Sequence, residues 1–346
     1  MTPRAAARHN AVHKDGFGAM KKFINASDDL VHDSAAGLVM AHEDLLVLNE
    51  SPLFVCRRTP KQGRVALVSG GGSGHEPLHT GYVGHGMLDA ACPGQVFTAP
   101  TPDQIVAACE HAEAGQGVVM IVKNYGGDCA SFQAASDMLE LECATVLVND
   151  DVAVEHSTHT TGRRGVAGTV IVEKMIGAAA EAGANLYECK ALGARVNAST
   201  ASMGVALTSC TVPEAGAPTF DIGASEMEVG VGIHGEPGRY RKSLMPADDI
   251  VALLLEPILK DLALAAGRSV LLHVNGFGGT PLIELHLLNR IATQRLRAQG
   301  LKVERWLVGN HTTSLEMAGA SLTLTALDDE LTGLWDAPVT TPSLRW

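Results

Sequence analysis

Cationic excess is the first thing missing from this chain. Its 346 residues carry 26 Lys and Arg against 38 Asp and Glu, a net charge of −12. Nucleic-acid phosphates and anionic membrane surfaces both need a basic face, so no nucleic-acid and no membrane partner is expected. No apolar run reaches the ~20 residues that span a bilayer, and the amino-terminal stretch lacks a secretory apolar segment. The seven cysteines (Cys56, Cys92, Cys109, Cys129, Cys143, Cys189, Cys210) are scattered and include no CxxC pair. That spacing offers no zinc site and reads as reduced, buried thiols, which places the chain in the cytoplasm by expectation.

Two nucleotide signatures are absent as well. The stretch Val65-Ala66-Leu67-Val68-Ser69-Gly70-Gly71-Gly72-Ser73-Gly74-His75-Glu76-Pro77 is an apolar strand running into glycines. A P-loop follows its glycines with Lys-Ser/Thr, where this chain has His75-Glu76. The dinucleotide fingerprint needs a third glycine opening a helix, and Pro77 stands there instead. What remains is a glycine run that delivers an ionisable pair at a strand end. Glycine tolerates positive φ and lets a backbone approach a ligand closely, so the segment reads as a small-molecule site. A tight strand-to-helix turn is the plainer alternative.

A hydrophobic content of 46% with 18% charged residues describes a globular chain, and the length suggests two domains. The first half alternates short strands (65–69, 118–122, 145–149) with helical stretches (102–114, 131–141), the pattern of a mostly parallel sheet covered by helices. An amphipathic helix is predicted over 168–182 and another over 185–200. Composition changes near Ala201. Strands over 204–211, 227–233, 269–275, 303–308 and 321–326, with helices over 248–266 and 282–299, suggest a mixed-sheet second domain. A cleft between the two is the default binding site.

Three further loops carry chemistry. Lys123-Asn124-Tyr125-Gly126-Gly127-Asp128 can present a cation and a base to one ligand, or form only a surface ion pair. Asn149-Asp150-Asp151 precedes Gly162-Arg163-Arg164, and its carboxylates favour helix capping or arginine pairing over a metal site. Gly230-Val231-Gly232-Ile233-His234-Gly235-Glu236-Pro237-Gly238 strips one face of a strand and leaves His234 at its tip. Histidine can be neutral, nucleophilic and a proton carrier near pH 7.

With these motifs in place, the chain resembles the K (substrate-binding) subunit of the dihydroxyacetone kinase family. The resemblance rests on LVSGGGSGHEP (67–77), GYVGHGMLDAACPGQVFTAPTP (81–102), KNYGGD (123–128), NDDVAV (149–154), TGRRGV (161–166), CTVP (210–213), MEVGVGIHGEPG (227–238) and LWDAPVTTP (334–342). It implies two α/β domains of K1 and K2 type with the substrate site at their junction. The expected division, drawn from composition, is a leader at 1–18, a first domain over 19–200 with the glycine-rich loop, and a second over 201–346, which the resemblance makes the carrier of the nucleophilic histidine. It implies that His234 adds to a ketone to give a covalent hemiaminal, which glycerol, lacking a carbonyl, cannot form. Asp128 matches the general base on a terminal hydroxyl. His75 matches a histidine that hydrogen-bonds substrate and polarises the carbonyl or steadies the hemiaminal oxygen. Gly72, Ser73, Gly74 and Lys123 match substrate contacts.

The same resemblance places ATP or ADP with magnesium on a separate L-type nucleotide-binding subunit, recharged in some members by a phosphotransferase-system protein. No cofactor or metal is expected on this chain. A homodimer is implied, as is inactivity without the partner. A ketone sensor that regulates transcription is the alternative; it would need His234 but not Asp128. Three positions depart from the family's usual residues: Gly126 for Thr, Ser131-Phe132 for Asn-Phe, and Asn275-Gly276-Phe277 for Asn-Asn-Leu. The first two remove bulk near Asp128 and suggest a pocket that accepts a four-carbon ketose such as erythrulose.

Overall fold

The computed structural model describes residues 21–153 and 162–346. The expected leader, Val154 and Thr161 lie outside the described residues. Helix α1 (Leu30–Ala41) leads into the hairpin β1 (Leu46–Glu50) and β2 (Leu53–Arg57). Then come β3 (Arg64–Ser73), β4 (Ala90–Val96), α2 (Pro102–Ala112), β5 (Gly115–Lys123), α3 (Gly126–Met138), β6 (Cys143–Val148), α4 (Gly168–Ala182) and α5 (Leu186–Ala198). The six strands form one sheet in the order β1-β2-β4-β3-β5-β6, parallel from β4 to β6. Val65 to Val68 in β3 are fully buried, the continuous apolar run of a strand covered on both faces. One face packs Ala66, Val68 and Met120 against Ile105 of α2 and Phe132 of α3, and the other packs Leu67 and Ile121 against Val170 and Met175 of α4.

Helix ends follow their local chemistry. Thr101 and Gln104 form a capping box before α2 with Pro102 at its first position, and Asn185 and Glu188 do the same for α5. Helix α4 is not amphipathic as expected: every residue from Gly168 to Ala180 is buried. It is covered on one side by the first sheet and on another by α8 (Asp329–Asp336), so no polar face is needed.

The second sheet contains β7 (Thr200–Ala206), β8 (Glu226–Val229), β9 (Tyr240–Ser243), β10 (Ser269–Gly276), β11 (Lys302–Gly309) and β12 (Gly319–Leu327), in the order β11-β10-β12-β7-β8-β9. Only β10 and β11 pair in parallel, so the sheet is mixed. Helices α6 (Ala247–Leu262) and α7 (Leu282–Ala298) bury Leu254, Leu255, Leu285 and Ile291 against it. Leu271, Leu307 and Leu327 leave this sheet from the other face and join the core around α4 together with Leu331 and Trp335 of α8. The chain's last turn therefore packs back on the first half of the molecule, and the two halves share buried surface.

Three strand expectations needed correction. The strand predicted over 204–211 is the end of β7, which closes at Ala206 where its pairing with β12 stops at Gly319. The segment 227–233 is strand only to Val229; Gly230 has φ +78° and turns the chain out of the sheet. Conversely, β3 does not turn at its first glycine but stays extended through Gly70, Gly71 and Gly72, paired with Cys92, Pro93 and Gly94. A Cβ on Gly70 would stand 2.6 Å from the Cys92 carbonyl oxygen, and one on Gly72 would stand 2.6 Å from the Thr98 backbone nitrogen. These glycines permit close packing inside the protein. Only Gly74, at φ +101°, makes the turn the sequence suggested.

Candidate active site

The carboxyl ends of β3, β4 and β5 converge where α/β sheets bind ligands. The turn at Gly74 presents His75, which the other half of the molecule clamps: Leu315 N donates to Gly74 O at 2.8 Å and Thr313 N to His75 O at 3.2 Å. His75 Nδ1 lies 2.8 Å from the Thr313 carbonyl oxygen. A carbonyl only accepts, so Nδ1 carries the proton. Burial, then the neighbouring His234 and Lys123, push the His75 pKa well below its ordinary value, so the ring is neutral. Nε2, buried and without a hydrogen-bond partner among the described residues, is then an acceptor. A donor to polarise a carbonyl, as the family resemblance implied, is not what the neutral ring offers at that atom.

His234 enters from the loop after β8. Its ring meets Tyr125 at 4.3 Å, His75 at 4.6 Å and Phe97 at 5.3 Å, each edge-on, while Phe97 stacks on His75 at 5.0 Å. Phe97 holds φ 57°, a left-handed conformation rare for a bulky residue, and so ranks with the special backbone positions that cluster at functional sites. Glu236 tethers the loop: its Oε2 accepts from His234 N at 2.9 Å and its Oε1 lies 4.0 Å from His234 Nδ1. Behind Glu236, Arg164 is buried, 2.6 Å from Asp151 Oδ2 and 3.5 Å from Glu236 Oε1, and donates to Gly230 O at 2.6 Å. The adjacent Asp150 accepts from Val166 N and Gly168 N at 2.8 Å, capping the start of α4. The aspartate pair thus does what its sequence favoured, one capping and one pairing with arginine. Among the described residues no cluster of three metal-ligating side chains occurs.

Asp128 sits in the first turn of α3, where the helix dipole favours a carboxylate. Lys123 ends β5, and its Nζ lies 3.0 Å from Asp128 Oδ2. The ion pair is real, but buried: Lys123 and Asp128 are 0% and 4% exposed. A cavity of about 470 Å³ is lined by Phe97, Tyr125, Gly126, Asp128, His234 and Glu236, among others. Asp128 and His234 therefore face one space, with His75 in ring contact with His234. Gly72, Ser73, Gly74 and Lys123 are not among the residues lining this cavity; Ser73 Oγ donates to Gly94 O at 2.7 Å.

Of the departures from the family pattern, Gly126 lines the cavity. Gly276 and Phe277 do not: a Cβ on Gly276 would meet Leu285 at 2.9 Å, inside the second half's core. Cys129, held at 3.5 Å from Asn124 Oδ1, has its thiol pKa raised by burial and by Asp128, which suits a structural role.

Sequence reading gave no role to Phe97, Tyr125 and Glu236, all inside quoted motifs, or to His79 and Glu173, which lay in none. Glu173 did leave a signal, a carboxylate within the apolar run Val170-Ile171-Val172-Glu173-Lys174-Met175-Ile176.

Comparison with known proteins gives the family. Residues 36–343 match the Dak1 domain. The chain is 51% identical to the dihydroxyacetone-binding subunit DhaK of PTS-dependent dihydroxyacetone kinase 1 from Listeria innocua, over 90% of this chain and 95% of that one. It is 44% identical to the corresponding subunit of the PEP-dependent dihydroxyacetone kinase of Escherichia coli, over 94% and 99%. Among solved structures, the dihydroxyacetone kinase of C. freundii superposes with a TM-score of 0.85 at 33% identity, over 94% of this chain and 60% of that one. A dihydroxyacetone kinase operon co-activator, DhaQ, superposes with a TM-score of 0.84 at 32% identity, over 90% and 96%. With its length matched almost end to end, the chain belongs to the Dak1 domain family.

Proposed function

We propose that this chain is the ketose-binding subunit of a dihydroxyacetone kinase, capturing a short ketose on His234 and presenting its terminal hydroxyl for phosphorylation. The observation that carries the reading is that His234 and Asp128 line one cavity with His75 against the His234 ring. A ring nitrogen of His234 attacks the ketone carbon, a C–N bond forms, and the carbonyl π pair moves to oxygen. The attacking nitrogen is the one without a proton; the other ring nitrogen then gives up its proton, the new oxygen gains one, and the acceptor Nε2 of His75 relays it. Asp128 then takes the proton of the terminal hydroxyl as its oxygen attacks the incoming phosphoryl group.

The nucleotide, ATP or ADP with magnesium, belongs to a separate L-type subunit in this reading, and the relatives named PTS- and PEP-dependent favour a phosphotransferase-system donor. Assembly as a homodimer and residence in the cytoplasm complete it. Among the described residues no helix is long and apolar enough to cross a membrane. Gly126 at the cavity wall supports acceptance of a four-carbon ketose beside dihydroxyacetone.

The test is direct. Dihydroxyacetone and L-erythrulose labelled with ¹³C at the carbonyl are each added, and a hemiaminal carbon is sought by NMR in the wild type and in His234→Ala. The same samples are then supplied with an L-type subunit and its phosphoryl donor. Capture lost in His234→Ala, followed by phosphorylation, supports the reading. Capture of neither sugar would retire it. Capture without transfer would move the chain to the ketone-sensing alternative; one of its structural neighbours is a dihydroxyacetone kinase operon co-activator.

A further inference from the structure

Behind Asp128 runs a buried line of polar groups that none of the roles above uses. Lys123 Nζ donates to Asp128 Oδ2 at 3.0 Å, to Gly70 O at 3.3 Å, and meets His79 Nε2 at 3.0 Å. An ammonium has three protons and no lone pair, so all three are committed and His79 Nε2 must accept. His79 Nδ1 then carries that ring's proton, and it lies 2.6 Å from Glu173 Oε1 and 3.0 Å from Ser69 Oγ. Ser69 Oγ spends its own proton on Ile121 O at 2.7 Å, leaving a lone pair toward the ring. His79 and Glu173 are 5% and 0% exposed. The charged and titratable groups around His79 are Lys123 from β5, Glu173 from α4, and His75 from its own turn, with Asp128 of α3 beyond Lys123 and Tyr82 close to Glu173. Burial, Lys123 and His75 all keep the His79 ring neutral.

From this geometry we infer that His79, oriented by Glu173, is a positioning residue for phosphoryl transfer: by accepting one Lys123 proton it holds the ammonium where another proton secures Asp128. Lys123 then acts on Asp128, not first on substrate, and holds one oxygen of this cavity-lining carboxylate in place. The inference rests on the kinase reading for its kinetic consequence, but not for its structural one. Leucine at position 79 offers no acceptor, whereas glutamine can place a carbonyl oxygen near the position of Nε2.

Three measurements decide it. In the wild type, ¹⁵N NMR of the imidazole is expected to show a neutral ring protonated at Nδ1; an Nε2-protonated ring, or an imidazolium at pH 7, overturns the assignment. In crystals of His79→Leu, Lys123 Nζ is expected to leave Asp128 while His79→Gln keeps the pair; an unmoved pair in His79→Leu overturns it. With an L-type subunit, its donor and dihydroxyacetone, kcat is expected to fall on the order of 100-fold in His79→Leu, the loss a misplacement of about 1 Å produces. Ketose capture at His234 should stay within about threefold of wild type, since the hemiaminal does not pass through Asp128, and His79→Gln should recover most of kcat. Equal kinetics in the two variants, or a loss seen only in ketose affinity, overturns the inference. If the wild type itself transfers no phosphate, the kinase reading fails, and the NMR and crystal outcomes still decide the positioning.

Discussion

A methyl group on Gly71 reaches the centre of the site in a single substitution. Gly71 is extended in β3 and is not among the positive-φ glycines, so the backbone accepts alanine. Its Cβ, however, would stand 2.1 Å from Lys123 Nζ, and at 3.3 Å and 3.4 Å from Lys123 Cε and Asp128 Oδ2. Only the ammonium must move, by about 1.3 Å to reach an ordinary 3.4 Å contact. It cannot do so and keep its bonds to Gly70 O, His79 and Asp128. Losing one hydrogen bond to a charged group costs roughly 1.5–3 kcal/mol. The lower chain entropy of alanine in the unfolded state returns about 0.4–1 kcal/mol. Gly71→Ala should therefore cost about 1–2 kcal/mol in urea unfolding. In a Lys123→Ala background the obstructing atoms are gone, and the same substitution should instead return that ~0.4–1 kcal/mol. A cycle of the four proteins reads the difference as a coupling of at least about 1 kcal/mol. Equal cost in both backgrounds would refute the placement of Lys123 against this glycine.

Other substitutions test the frame around the site. Arg164→Met leaves Asp151 and Glu236 buried without their cation, a loss of about 3–5 kcal/mol in urea unfolding near pH 8. Burial already raises Asp151 to about 6 despite Arg164. A folded-state pKa above the unfolded one means that stability is lost as pH rises through it, so the Arg164→Met deficit should shrink between pH 8 and 5; a deficit flat with pH would speak against this account. Gly177→Ala adds a helix former to α4, worth ~1 kcal/mol, yet its Cβ would stand 2.5 Å from Met87 Cα. Overpacking against backbone outweighs propensity, so the melting temperature should drop; a rise would show that the loop yields freely. His273 is fully buried, and burial, then His311, lower its pKa well below the ordinary value. Below pH 6.5 the unfolded chain binds a proton that the folded ring refuses, so wild type loses stability on acidification. His273→Leu removes that liability and should gain about 1.4 kcal/mol on wild type between pH 7.5 and 5.5, whatever its offset at neutral pH.

Local patterns carried most of the elements. Apolar runs at 65–68 and 118–122 marked the central strands because a strand covered on both faces must be apolar throughout. Gly168 and Gly183 bounded α4, with Gly183 at φ +102° as its left-handed cap. Helix α1, the hairpin of β1 and β2, strands β4 and β9 and helix α8 went unread, since each is short, exposed or buried only by what packs over it. Helix α4 was misjudged for the same reason: a pattern of residues cannot show that a second layer covers the remaining face.

By itself the sequence determined the α/β class and named His75, Asp128 and His234 as the candidate reactive groups, because they stand in motifs whose glycines and flanking strands are readable residue by residue. Only the tertiary structure decided how those groups are held. Segments more than two hundred residues apart meet when Thr313 fixes the tautomer of His75. Glu173, far along the chain, reaches His79 and through it Lys123 and Asp128. Hydrogen-bond direction and burial are properties of neighbours in space, and a linear pattern names residues without naming those neighbours.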